Sequence, residues 1–141
     1  MALDVGDKTI GVAVSDEGLI LASPVETIKR RGPKADAMRV ETLVQERGVV
    51  LVVAGMPLTL RGDLGPQGLK VMDFVETLKR RLKVPVETRD ERLSTREAER
   101  TLIAADMSRA RRKDVIDQMA AVLILQTYLD ARAHEASGNR R

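Results

Sequence analysis

Cysteine and tryptophan are absent from the 141 residues, and Phe74 and Tyr128 are the only aromatic rings. Without cysteine there are no disulfides and no thiolate metal sites, which fits a reducing compartment and makes a cytoplasmic location the expectation. His134 is the one histidine and sits in a polar stretch, so imidazole-held zinc and Ser-His chemistry are nearly excluded. Two rings make no base-stacking platform; a nucleic-acid partner would be read through backbone and shape. Met119 to Leu125 is the longest apolar run, too short to span a bilayer. The N-terminus enters a strand at once with no signal-peptide pattern, and no membrane role is expected. Carboxylates are the only abundant catalytic material left.

Acidic and basic groups are plentiful, at 21 and 24, for a net charge of +3. The basic ones bunch at Lys29-Arg30-Arg31, at Lys79-Arg80-Arg81 with Lys83, at Arg109-Arg111-Arg112-Lys113 and at Arg140-Arg141. Such clusters suit phosphate backbones. Solvated last turns of helices explain any one of them equally well.

The length predicts one domain, over residues 1–133, with a polar and disordered tail over 134–141. Met1 to Asp16 reads as strand, tight turn and strand, with Ile10, Val12 and Val14 alternating against Gly11, Ala13 and Ser15. Leu19 to Ile28 is a third strand, and Pro24 within it argues for an edge position. Ala35 to Arg47 is helical by the spacing of Met38, Leu43 and Val44, with Gly48 as its stop. Val49 to Ala54 is continuously apolar, as expected of a strand covered on both faces. Leu58 to Gly68 reads as a mobile loop. A helix follows to about Leu82, with Leu69, Met72, Val75, Leu78 and Leu82 on one side. Val84 to Thr88 is a fifth strand. Ser94-Thr95-Arg96-Glu97 is a capping box that starts a helix running to about Ala105. Asp106 to Arg112 reads as a basic loop, and Lys113 to about Ala133 as the last helix. Hairpins followed by strand-helix alternation imply an α/β domain built on a mixed sheet.

Three acidic positions stand out. Asp4 lies in an otherwise apolar first strand, where burial of a lone carboxylate costs several kcal/mol of solvation unless a cation compensates. Asp117 lies on the last helix among apolar residues, one turn before Ala121, and the small pair Ala120-Ala121 lets that helix approach the sheet closely. A buried salt bridge, or a wet strip shared with Asp114, accounts for Asp117 without any chemistry. Glu91, or Asp90 beside it, stands at the carboxyl end of the fifth strand, the edge where open α/β sheets bind ligands. Its bland alternative is a local pair with Arg89 or Arg92. Three converging carboxylates repel one another, and a divalent metal resolves the conflict. Oxygen donors alone select magnesium or manganese.

Four ordered blocks then resemble the signature of the YqgF/RuvX family: Leu3-Asp4-Val5-Gly6 continuing through Ile10-Gly11-Val12-Ala13, Gly55-Met56-Pro57-Leu58, Asp90 to Thr95, and Ile116 to Ala121. The resemblance covers almost the whole chain. It implies an RNase H-like fold, a mixed five-stranded sheet in the order 3-2-1-4-5 with its first three strands antiparallel and helices on both faces. It also implies a Mg2+- or Mn2+-dependent nuclease site whose carboxylates are Asp4, Glu91 and Asp117. Lys8, Arg92, Arg109, Arg111, Arg112 and Lys113 are the expected phosphate contacts. The sequence departs from the family pattern at Thr9, where a second basic residue is usual, and at Ser94, where threonine is commoner.

The expected activity is endonucleolytic cleavage of structured nucleic acid, either at the 5′ end of precursor 16S ribosomal RNA or at a four-way DNA junction. The junction reading carries the expectation of a homodimer, since two strands must be cut symmetrically. A non-catalytic nucleic-acid-binding module is the alternative. Asp4 to Thr9 also resembles the first phosphate loop of sugar-kinase and actin-like proteins, but the chain has no room for their second lobe.

Overall fold

A computed structural model describes residues 1–58, 61–90 and 109–138, of which 109–117 and 137–138 are described by their backbone alone. In chain order the elements are β1 (Ala2–Val5), β2 (Thr9–Ser15), β3 (Ala22–Lys29), α1 (Pro33–Arg47), β4 (Val52–Met56), α2 (Pro66–Arg81), β5 (Val86–Asp90) and α3 (Arg109–Gly138). The five strands form one sheet in the order β3-β2-β1-β4-β5. β1, β2 and β3 are antiparallel, and β4 and β5 join them in parallel. The sheet is the mixed one that the family resemblance implies.

Alternation of side chains divides the sheet into two apolar faces. Leu3, Val5, Ile10, Val12, Ala54 and Met56 pack on one side with residues of α1 and α2. On the other side Ala2, Ala13 and Val53 pack against Ala121, Ile124, Leu125 and Leu129 of α3. Alanine on both partners lets α3 lie close to the sheet.

Several elements depart from the sequence expectation. Leu69 and Met38 are exposed, and Val71, Phe74, Ala37 and Val40 hold the core positions of their helices instead. β4 starts at Val52 rather than Val49, because Val49 and Val50 follow the left-handed Gly48 that ends α1 (φ 62°). Within the stretch expected to be a mobile loop, Leu58 bridges to Leu64 and α2 begins at Pro66. Among the described residues the last helix covers Arg109–Gly138, and so takes in part of the expected basic loop and, from His134, part of the expected polar tail. Ala131, Ala133 and Ala136, strong helix formers, favour that continuation. The expected helix from Ser94 lies outside the described residues.

Candidate active site

Asp4 sits near the end of β1, two residues after Ala2, and therefore faces α3. It is half-buried. Register then fixes its neighbours. Asp4 pairs with Gly11 of β2, and Gly11 pairs with Thr27 of β3. On the other side Leu3 pairs with Ala54, so one further step sets Asp4 beside Gly55, which pairs with Arg89 of β5. A single row thus crosses the sheet through Thr27, Gly11, Asp4, Gly55 and Arg89. Glycine stands on both sides of Asp4 along that row.

The helix above is tied to the same row. The amide of Gln118 donates to the hydroxyl of Thr27 at 3.1 Å. Three residues on, Ala121 is fully buried in the cluster that holds Ala2 and Ala13. Residue 117 therefore belongs to the turn of α3 that crosses the Asp4 row, although its side chain is outside the described set. Further along, Gln126 holds the β2–β3 turn by accepting from Ala22 N–H at 3.0 Å and donating to the Ile20 carbonyl at 2.8 Å. The two glutamines fix the helix at both ends of its contact with the sheet.

Glu91 and Arg92 lie outside the described residues, as do the side chains of Arg109, Arg111, Arg112 and Lys113. Asp90 can be located. It pairs with Met56, whose side chain belongs to the α1 and α2 face, so strand alternation turns Asp90 to the opposite side of the sheet from Asp4. Arg89, on the Asp4 side, stacks its guanidinium over Tyr128 of α3 at 5.2 Å from the ring centre. That contact gives Arg89 a packing role beside the acidic segment. Among the described residues no three acidic or histidine side chains stand together as a metal cage, and Asp4 is the one member of the expected trio whose side chain is described.

Lys8 is exposed in the β1–β2 turn. The cluster Lys29-Arg30-Arg31 is not one solvated basic face. Arg30 Nε donates to Asp36 Oδ2 at 3.0 Å, its Nη1 donates to the Gly6 carbonyl at 3.1 Å, and its guanidinium lies 5.0 Å from the centre of the Phe74 ring. Sequence reasoning missed this use of Arg30. The available signal was Asp36, an acid one turn before the buried Val40 of α1. A separate cleft of about 620 Å³ opens at the other end of the sheet, lined by Val14, Val49, Leu51, Leu125 and Leu129 among others, and Asp4 does not line it.

Asp4 is thus a half-buried carboxylate near the end of a central strand, between two glycines and on the face of the sheet covered by α3. Solved structures share that sheet. The chain superimposes on Thermus thermophilus RuvC in complex with a Holliday junction substrate with a TM-score of 0.55, at 18% identity, over 93% of each chain. A fowlpox virus resolvase bound to Holliday junction DNA matches with a TM-score of 0.52 at 12% identity, over 92% of this chain and 95% of that one. At such identities the likeness establishes the fold.

Sequence relatives establish the family. The family model described as "RuvX: Holliday junction resolvase" matches residues 1–131, and the chain belongs to that family. A relative from Thermoanaerobacter pseudethanolicus is 52% identical over 96% of this chain and 98% of its own length. One from Clostridioides difficile is 54% identical over 92% of each. Both carry the name "Putative pre-16S rRNA nuclease".

Proposed function

We propose that this chain is a divalent-metal-dependent endonuclease acting on structured nucleic acid, with Asp4, Glu91 and Asp117 as its acidic ligands. The observation that supports it best is the hydrogen bond from Gln118 to Thr27, because Thr27, Gly11 and Asp4 lie in one row of the sheet. The turn of α3 that carries residue 117 therefore lies over the face of the sheet to which Asp4 belongs.

Oxygen donors without cysteine or histidine fit Mg2+ or Mn2+. Bound there, such an ion supplies an activated water and stabilises the leaving oxygen of a phosphodiester. The chain's own residues do the rest. In this reading Asp4 would supply a carboxylate from β1, Asp117 one from α3, and Glu91, the residue after β5 in sequence, the third. Lys8, exposed two residues past Gly6, is available to a phosphate, and Arg92, Arg109, Arg111, Arg112 and Lys113 extend the basic surface. Asp90 is left out of the ligand set because its side of the sheet is the wrong one.

Relatives at about half identity carry the name of a pre-16S rRNA nuclease, and this makes 5′-end trimming of that precursor the leading substrate. Such work is cytoplasmic. The junction reading draws on the family description and on the likeness to resolvases solved with Holliday junctions. It requires a homodimer, whereas trimming does not. The deciding experiment incubates the purified chain with precursor 16S RNA and with a four-way DNA junction, each with and without Mn2+. Metal-dependent cleavage of either one supports the nuclease reading, and binding without cleavage of both refutes it. Asp4→Asn should abolish cleavage while the protein stays folded. A monomeric mass in solution would count against the junction.

A further inference from the structure

Asp36 is the one buried charged residue among the described residues, at 1% exposure, and what it grips is Arg30. Asp36 Oδ1 accepts the Arg31 backbone N–H at 2.9 Å while Oδ2 accepts Arg30 Nε at 3.0 Å. The guanidinium lies over Phe74, itself 2% exposed, and Nη1 donates to the Gly6 carbonyl. Gly6 is two residues past Asp4 and two before Lys8. The same turn is tied at its other points: Gly6 N–H donates to Thr9 O at 2.8 Å, and Arg30 N–H donates to Lys8 O at 2.9 Å.

We propose that Arg30, oriented by Asp36, is a positioning residue for the catalytic strand, holding the Gly6 carbonyl so that the end of β1 and Lys8 keep the geometry cleavage requires. This rests on the reading of Asp4 as a metal ligand. Three features separate the arrangement from an ordinary stabilising pair. The contact to the turn is made by backbone acceptance, so it fixes the path of the chain rather than a side chain. All three constraints on the guanidinium are geometric, and lysine satisfies only its charge. The pair lies on the α1 and α2 side of the sheet and reaches the turn from behind, clear of the face that would meet substrate. A purely structural ion pair has no need to touch the turn at all. The exposed pair Arg39–Glu26, with contacts of 3.0 and 2.6 Å, touches none of it and serves as the internal comparison.

The test measures single-turnover cleavage against Mn2+ concentration for the full chain and for Arg30→Lys, Asp36→Asn and Arg39→Gln, each well below its melting temperature. Partners behind metal ligands change metal affinity or activity by about 10- to 100-fold. Because Arg30 acts through the backbone, the low end applies, and Arg30→Lys should raise the half-saturating Mn2+ concentration about tenfold. Asp36→Asn should move it the same way, the substrate KM should hold, and Arg39→Gln should match the parent. A merely structural role would lower the melting temperature and leave the Mn2+ midpoint of the folded protein where it was; that result overturns the proposal, as does an equal shift in Arg39→Gln. Should the Arg30 and Asp36 variants fail to fold, Phe74→Leu, which removes the ring beside the guanidinium, decides by the same measurement: a raised Mn2+ midpoint supports the proposal, and a parental midpoint refutes it. Asp4→Asn separates this inference from the site reading. Cleavage that survives Asp4→Asn removes the site itself, whereas loss of cleavage in Asp4→Asn with parental behaviour in Arg30→Lys removes the positioning role alone.

Discussion

Ala121→Leu probes the close approach of α3 to the sheet. Ala121 is fully buried, in one cluster with Ala2 and Ala13 of the sheet, also fully buried. Leucine adds three carbons at this solvent-inaccessible position, and overpacking of a core costs about 1–3 kcal/mol. In a 141-residue domain each kcal/mol lowers the melting temperature by about 3 °C, so a drop of about 3–9 °C is expected. The larger effect should be on cleavage. Displacing the helix by about 1 Å moves Asp117 relative to Asp4, and misplacement on that scale costs about 100-fold in rate. Leu129→Ala is the matched control. It removes a side chain that is 5% exposed in the same cluster, at a cost of about 2–5 kcal/mol. It lies eight residues, or about 12 Å, further along the helix. Melting followed by circular dichroism, and single-turnover cleavage below both melting points, should show the less damaged fold with the greater loss of activity. The reasoning is refuted if Ala121→Leu cleaves within a few-fold of the parent, or if Leu129→Ala loses as much.

The remaining expectations concern the supports of the site. Gln118→Ala removes the hydrogen bond to Thr27 and should lower stability by about 1 kcal/mol, with a larger fall in cleavage than in melting temperature; equal effects would argue against a docking role. Gly48→Ala puts a Cβ at φ 62°, where α1 ends, and should cost about 1 kcal/mol in chemical denaturation with no change in cleavage per folded molecule. Asp16 accepts the N–H groups of Ile20 and Leu21, which hold its carboxyl below the usual carboxylate range. Its folded value lies below its unfolded one, so the ordering of this turn is fully present above the ordinary carboxylate pKa and is lost as pH falls through the folded value. The Ile20 and Leu21 amide resonances should follow that titration, and in Asp16→Ala they should show none of it.

Most of the sheet was legible because its signal is local. Period-two alternation in Ile10 to Ser15 and the turn at Gly6 to Lys8 define the first hairpin, Pro24 marks β3 as an edge, and Ala120-Ala121 announces a helix that packs tightly. Helix faces were read less well. Met38 and Leu69 are apolar and fit a helical spacing, yet both are exposed, because the sheet selects the face carrying Val40 or Phe74 and α2 is apolar on more than one side. Composition does not separate Asp90 from Glu91. The register of β5 against β4 puts Asp90 on the face of its partner Met56, opposite to that of Asp4. Arg30 was hidden for a different reason. In a run of three basic residues nothing local distinguishes the one whose partner, Asp36, is brought to it by the first turn of the next helix.

If acids distant in sequence meet over the Asp4 row to hold a divalent ion, crystals soaked in Mn2+ should reveal it in the anomalous difference map. Density between the Asp4 and Asp117 carboxylates, absent from Asp4→Asn crystals, is the predicted result. A map with no peak there, or with Mn2+ bound only at sites remote from β1, would contradict it.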